Sequence, residues 1–318
     1  MNIKLIIVLL LCCFLLSCDD LGIGNNKNLQ DAEIYKGKEG VAIEIIDNAL
    51  PSNVFENENF ELLVRATNKG PISTSVKLSV ATEKPYLTFI TGSYFQQREV
   101  QLEGKEPFQQ IDDFEVEVFN IKGGQIDPLS ETHTGLVIVS ACYDYISKTF
   151  SDVCIDTDPH NLRPIVKTCS QSILSLTEGQ GGPLVITSIE PRMLLQGDYI
   201  KPQFKIYLEN QGPGSVTTYG NTNKMCSNQE KDIEDYNTLD ISDLKLNVAG
   251  YTENLWSCVP EMIRLRSKQD YVICSLKENV QGIPKDRDPF LTPLKIELKY
   301  GYALTQTREV VIEKVLSH

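Results

Sequence analysis

The chain has 318 residues, 30 of them Lys or Arg and 43 Asp or Glu, for a formal net charge of -13 at pH 7. That balance argues against a nucleic-acid binder, because neutralising phosphate takes clustered cations. A hydrophobic fraction of 41% beside 23% charged residues excludes a wholly disordered chain and predicts a folded body, long enough for two domains.

Lys4 is followed by an unbroken apolar run over residues 5–16. It is the hydrophobic stretch of a secretory signal, too short to span roughly 30 Å of hydrocarbon as a helix. Leu15-Leu16-Ser17-Cys18 stands where that run stops and Asp19-Asp20 begin. The tetrapeptide resembles the lipobox of prokaryotic lipoproteins. The resemblance implies that residues 1–17 are removed and that the Cys18 sulfur carries diacylglycerol, which anchors the protein in a membrane outside the cytoplasm. Residues 18–38 contain Gly22, Gly24, Asn25, Asn26 and Asn28 with no sustained period. So little apolar surface does not offset the entropy of ordering, and a flexible tether is expected.

Beyond the tether the pattern has period two. Val41 to Ile46, Phe60 to Ala66, Val76 to Val80, Phe114 to Phe119 and Leu294 to Tyr300 alternate apolar with polar residues, as half-buried strands do. Breaks such as Asn68-Lys69-Gly70-Pro71, Lys122-Gly123-Gly124 and Asn210-Gln211-Gly212-Pro213-Gly214 read as the turns of β-sandwiches. The acidic stretch 230–243 keeps no convincing helical period.

The chain also repeats itself. Leu62, Val64 and Ala66 before Asn68-Lys69-Gly70-Pro71 match Phe204, Ile206 and Leu208 before Asn210-Gln211-Gly212-Pro213 without a gap. Tyr143-Asp144-Tyr145 followed by Val153-Cys154-Ile155 matches Tyr300-Gly301-Tyr302 followed by Val310-Val311-Ile312. Two copies of one β domain are the simplest explanation. The expected architecture is all-β: two tandem antiparallel sandwiches, 39–176 and 184–318, joined by a glycine-rich hinge at 177–183. The strand ending in Asn-x-Gly-Pro and the closing segment with Tyr-x-Tyr resemble Ig-like domains of the CARDB type, cell-adhesion-related modules of exported bacterial and archaeal proteins. The segment 291–302 is similar to the last strands of archaeal surface proteins of that kind. This resemblance implies an interaction role at the cell surface and brings no catalytic residues with it. Trp256 lacks the cysteine spacing of antibody-type domains and reads as core packing beside Cys258.

Nine cysteines are present. Cys12 and Cys13 leave with the signal and Cys18 carries lipid, so Cys142, Cys154, Cys169, Cys226, Cys258 and Cys274 remain. An even set in an exported chain predicts disulfides. None is spaced as C-x-x-C, and the three histidines, His133, His160 and His318, make no zinc site of the usual spacing. Residues 136–145 and 150–155 read as a hairpin around Ser147-Lys148, which would set Cys142 opposite Cys154. Cys258 and Cys274 flank a turn near Arg266-Ser267-Lys268. Cys169 with Cys226 would be the remaining pair, and Cys154 with Cys169 is the alternative.

No P-loop, H-E-x-x-H, G-x-S-x-G or dinucleotide fingerprint occurs. Gly179-Gln180-Gly181-Gly182 lacks the Lys and hydroxyl of a phosphate cradle. Asp156-Thr157-Asp158 and the trio Asp232, Glu234 and Asp235 offer oxygens suited to calcium, but without the length or fixed glycine of an EF-hand loop they read as solvated loops. His133 near Ser130 mimics part of a hydrolase triad yet reads as a surface histidine. The expectation is therefore a non-enzymatic, lipid-anchored envelope protein without metal or cofactor, whose loops or edge strand bind an envelope protein or glycan. An exported hydrolase with a carboxylate pocket between the domains and a passive spacer are the rivals.

Overall fold

Alternating burial fixes the strands, since one face of each must leave water. The computed structural model describes residues 34–46, 51–106 and 111–315. Cys18, the signal and most of the tether lie outside those residues. The first half supplies β1 (Val41–Ile45), β2 (Asn53–Phe55), β3 (Asn59–Asn68), β4 (Thr74–Thr82), β5 (Leu87–Phe89), β6 (Phe95–Leu102), β7 (Asp113–Gly123) and β8 (Thr132–Ile155). The second supplies β9 (Leu174–Ser175), β10 (Leu184–Gln196), β11 (Tyr199–Asn210), β12 (Ser215–Thr217), β13 (Thr238–Asp240), β14 (Leu244–Val248), β15 (Trp256–Val259), β16 (Met262–Arg264), β17 (Gln269–Leu276), β18 (Ile283–Pro284) and β19 (Phe290–Glu313). The fold is all-β, as predicted. The stretch 230–243 holds the 3-10 turns Ile233–Asp235 and Ile241–Asp243, and among the described residues between named strands the one α-helical turn is Thr222–Met225.

The strands form a first sheet, β1-β3-β7-β5, a second sheet, β15-β17-β11-β10-β9 with β18 on β11, and a central sheet, β12-β19-β8-β4-β6, to which β14 and β2 add on β19. The sequence repeat is also structural. β1 begins opposite β3 at Val41↔Asn68 and β10 opposite β11 at Leu184↔Asn210. The Asn68 amide donates to Ile72 O at 2.7 Å and the Asn210 amide to Gly214 O at 2.8 Å. Tyr145 and Tyr302 each direct a hydroxyl at the matching Asn oxygen, at 3.4 and 3.1 Å. A Cβ on Gly70 would lie 2.0 Å from the Tyr145 hydroxyl, and one on Gly212 2.2 Å from that of Tyr302. Glycine is required there by close approach.

The expected hairpin at Ser147-Lys148 does not form. β8 runs straight through that point, and its 24 residues pair antiparallel with the 24 of β19, from Ile155↔Phe290 to Thr132↔Glu313. The inward alternation runs straight through that point: Tyr143, Tyr145, Ser147 and Thr149 are all buried, and Ser147 donates to Leu184 O at 2.7 Å. A pseudo-twofold axis passes through the Asp144↔Gly301 pair, flanked by Tyr143↔Tyr302 and Tyr145↔Tyr300.

Each long strand serves both halves. β4 pairs β8 at Tyr143 to Val137, while β14 and β12 flank β19 at 294–298 and 301–303. The far end of β19 receives β2, a strand of the first half, in parallel at Val311↔Asn53. Leu87 of the first sheet packs on Gly135, with Ile312 beside it. The two sandwiches are therefore fused through a shared sheet, and the chain from Ile34 on is one compact unit. The segment 177–183, expected as a hinge, is packed in place. Gln180 is buried and exchanges hydrogen bonds with Ile186 at 3.1 and 2.6 Å. Nor is the tether free to its expected end at residue 38. Gly37 donates to Glu178 O at 2.8 Å and accepts from Gly181 N at 2.9 Å, while Tyr35 lies against Phe150.

All six cysteines predicted to pair do so. Cys258 bonds Cys274, its direct cross-strand neighbour in β15·β17, as expected. Cys142 does not meet Cys154: on one continuous strand, twelve residues separate them by about 40 Å, far beyond bridging reach. The alternative Cys154–Cys169 forms instead, and Cys142 joins Cys226 after the Thr222–Met225 turn, so Cys169 is not paired with Cys226. Three disulfides are the mark of an oxidising, extracytoplasmic environment.

Burial of the tyrosine quartet makes stability depend on pH. Burial pushes the Tyr143, Tyr145 and Tyr300 hydroxyls well up and that of Tyr302 up to about 12. An unfolded phenol titrates near 10. The native state thus holds these protons more tightly; the stabilisation is complete below pH 10 and is lost as pH rises from there. For Tyr302 alone the loss amounts to roughly 2 kcal/mol by pH 12. Urea midpoints should fall steeply from pH 10 to pH 12, with part of the phenolate absorbance arriving only on unfolding. A flat midpoint across that window would contradict this account.

Candidate functional site

The acidic loops singled out in the sequence are built into the framework. Asp156 accepts from Asp158 N at 3.0 Å and pairs with Lys167 at 2.7 Å. Asp158 accepts from Leu162 N and Arg163 N at 2.8 and 3.0 Å, and these backbone bonds, that of Arg163 foremost, hold its carboxyl below the usual range. Asp235 takes Lys224 at 2.6 Å and Asn221 at 3.2 Å, and Asp232 takes Lys224 at 3.1 Å. Their oxygens organise turns. Among the described residues no group of three or more His, Cys, Asp or Glu is placed to hold a metal ion. His133 stacks on Tyr86, centroids 3.5 Å apart, with Nε2 3.4 Å from Glu83. Among the described residues no serine hydroxyl is hydrogen-bonded to it. Trp256 packs in the core against Phe204 and Tyr251, 5.6 and 6.2 Å between ring centres.

A cleft of about 300 Å3 opens between the halves, where β1 approaches β19 beside the Gln211-Gly212-Pro213 turn. Val41, Ile43, Pro213, Tyr302 and Leu304 make it largely apolar, and Glu39 is the one carboxylate in its lining. Two hydrogen bonds tie its walls together. Val41 N donates to the Tyr143 hydroxyl at 3.1 Å and the Gln306 amide to Ile43 O at 2.9 Å. The pocket between halves thus closes the seam, and the carboxylate pair of the hydrolase reading is not among the residues lining it.

The outward faces of the two outer sheets differ. On the first, Leu63 lies opposite Val118 and Arg65 opposite Val116. Phe114 and Val118 are 47% and 39% exposed, and Ile90, 55% exposed, adjoins them at Asn120. The Arg65 guanidinium lies 5.3 Å from the Phe114 ring centre and pairs with Glu44 at 3.2 Å. On the second, Tyr207 lies opposite Tyr271, Lys205 opposite Ile273 and Gln203 opposite Ser275. The tyrosine rings are 5.8 Å apart, with the Lys205 ammonium 4.7 and 4.0 Å from their centres. Its hydrogen bond to Tyr207 holds that ammonium above its ordinary pKa, and Arg192 holds Glu190 below its own. Phe114, Val116 and Val118 were expected as the buried side of an alternating strand, but Phe119 and Ile121 take the inward slots and turn those three outward; the residues of the second face were absent from the sequence expectations. The signal was there for Tyr207, which sits between the inward Ile206 and Leu208; Tyr271 needs the strand register to be found.

No protein-family model and no curated protein matches the chain. Among solved structures it is similar to red sea bream transglutaminase, at 9% identity and TM-score 0.20 over 88% of this chain and 32% of that one. It is also similar to a DUF4466 family protein from Parabacteroides merdae, at 10% identity and TM-score 0.16, covering 83% and 99% of the two chains. The chain spans about a third of the transglutaminase. Likeness at this level bears on neither mechanism nor partner.

Proposed function

We propose that the protein is a lipid-anchored cell-envelope protein with CARDB-like, Ig-like sandwiches, acting by binding and not by turnover. The lipobox-like Cys18 and the three disulfides support the address. The observation that carries the binding role is the outward face of the first sheet. Leu63, Val116, Val118 and Phe114 stand side by side at the surface of a rigid sheet, with Arg65 across Phe114. An apolar patch rimmed by an ion pair marks an interface, and aromatic and Arg side chains are the types enriched at interface centres. The occupant is a partner protein with a flat apolar surface of its own.

Cys18→Ala is expected to move the protein from the membrane to the soluble fraction; retention after a salt wash would contradict the anchor. For the face, a photo-crosslinker at position 118 should give one discrete adduct in the native host. The same group at Asp288 should give none, and equal labelling from both positions would end the reading.

A further inference from the structure

The two copies within this chain have kept their interiors and changed one surface. Leu62, Val64 and Ala66 correspond to Phe204, Ile206 and Leu208, all buried. The residues between them face outward, and there Leu63, Arg65 and Thr67 correspond to Lys205, Tyr207 and Glu209. Across the sheet, the places of Val118 and Val116 are taken by Ile273 and Tyr271. The core does not demand that replacement, because it lies on the other side of the strands. A face of aliphatic side chains around the single ring of Phe114 has become one of paired tyrosines with polar groups around them.

We infer that this face, centred on Tyr207 and Tyr271, is a binding platform for a neutral hexopyranose glycan. Tyr271 is 42% exposed; the Lys205 ammonium lies 4.0 Å from its ring centre, and the ring surface left in water beside it is what the apolar CH face of a sugar can cover. The groups around it suit a polyol. Gln203, joined to Ser275 at 2.8 Å, offers an amide and a hydroxyl, while Glu190 supplies carboxylate oxygens and Lys205 an ammonium. They stand on adjacent strands about 4.8 Å apart, a spacing on the scale of one sugar ring. A few placed polar groups beside an apolar surface are what orients a small ligand. Charge selects the class of sugar. Lys205 and Arg192 are balanced by Glu190 and Glu209, and the whole chain carries a net -13, which repels a polyanionic glycan. The inference concerns a different face from the protein-docking one and stands or falls separately.

The test is calorimetric titration of the full, disulfide-intact chain in detergent with cellohexaose, maltohexaose, mannohexaose and chitohexaose, and with polygalacturonate as the anionic control. At least one neutral hexasaccharide is expected to bind with Kd below about 1 mM, and the polyanion is not. Tyr271→Ala and Gln203→Ala should each weaken binding tenfold or more without moving the thermal midpoint, and Phe114→Ala should leave it unchanged. Absence of binding by all four sugars, preference for the polyanion, or unchanged affinity in both variants overturns the inference.

Discussion

A chain ending at Asp288 is expected to lose cooperative folding in both halves, including the first, from which no residue has been removed. The reason is the distribution of β19. Its first part carries β14 and β12, but its last part completes the first sandwich, where it pairs β8 up to Thr132 and receives β2. Val310 and Ile312 are buried in that core. Removing the strand exposes one whole edge of β8 and uncovers the quartet by taking Tyr300 and Tyr302. Large apolar side chains left without partners cost several kcal/mol each, which exceeds the margin of a typical domain. Circular dichroism on heating and limited proteolysis are the measurements. A sharp transition for residues 34–176 expressed alone would show that the halves are separable after all.

The second large effect concerns the Cys142–Cys226 bond. It closes a separation of 84 residues, and loop-closure entropy assigns about 4.5 kcal/mol to a loop of that size. The bond also has a defined place. Cys142 and Cys226 are 1% and 0% exposed and pack with Met225 and Ala303 on the outer side of the central sheet. It holds the segment that crosses the pseudo-twofold axis, where Gly301 admits Thr217 and Thr222 and where Asp144 accepts from Gly220 N at 2.9 Å. Replacing both cysteines by Ala should lower the urea-extrapolated stability by roughly 4 kcal/mol. Hydrogen-exchange protection should fall first between residues 215 and 243, with the tyrosine quartet still protected. A loss below about 1 kcal/mol would mean that packing alone holds the crossing segment.

Much of this fold was readable from alternation alone. The five quoted strands exist, and the Asn-x-Gly-Pro and Tyr-x-Tyr repeats turned out to be two sides of one contact, Tyr145 with Asn68 and Tyr302 with Asn210. The failures share a cause. Ser147-Lys148 was polar and so passed for a turn, although Ile146 and Thr149 are β-branched and no Gly, Pro or Asn stands there. A buried serine is legible only when its acceptor, Leu184 O, is known. The cysteine pairing then followed the false hairpin. Glycines 179–182 were ambiguous in the same way. Gly179 and Gly181 do adopt positive φ, at 79° and 76°, but a Cβ on Gly181 would meet the Pro71 ring at 2.6 Å and one on Gly182 the Tyr300 hydroxyl at 2.4 Å. Glycine reports freedom and close approach alike, and only tertiary structure separates them. At the surface, the outward slots of β11 follow from its inward ones, whereas the Tyr207–Tyr271 pair depends on register across strands far apart in sequence.

The docking of residues 35–37 onto 178–181 sets where mechanical force enters the body. Tension arriving along the N-terminal segment is delivered at Gly37, next to Gly181 and Gly182, and so beside Tyr300 near the midpoint of the β8·β19 ladder. The first described residues are thus tied to the middle of the ladder and to neither end of β8 or β19.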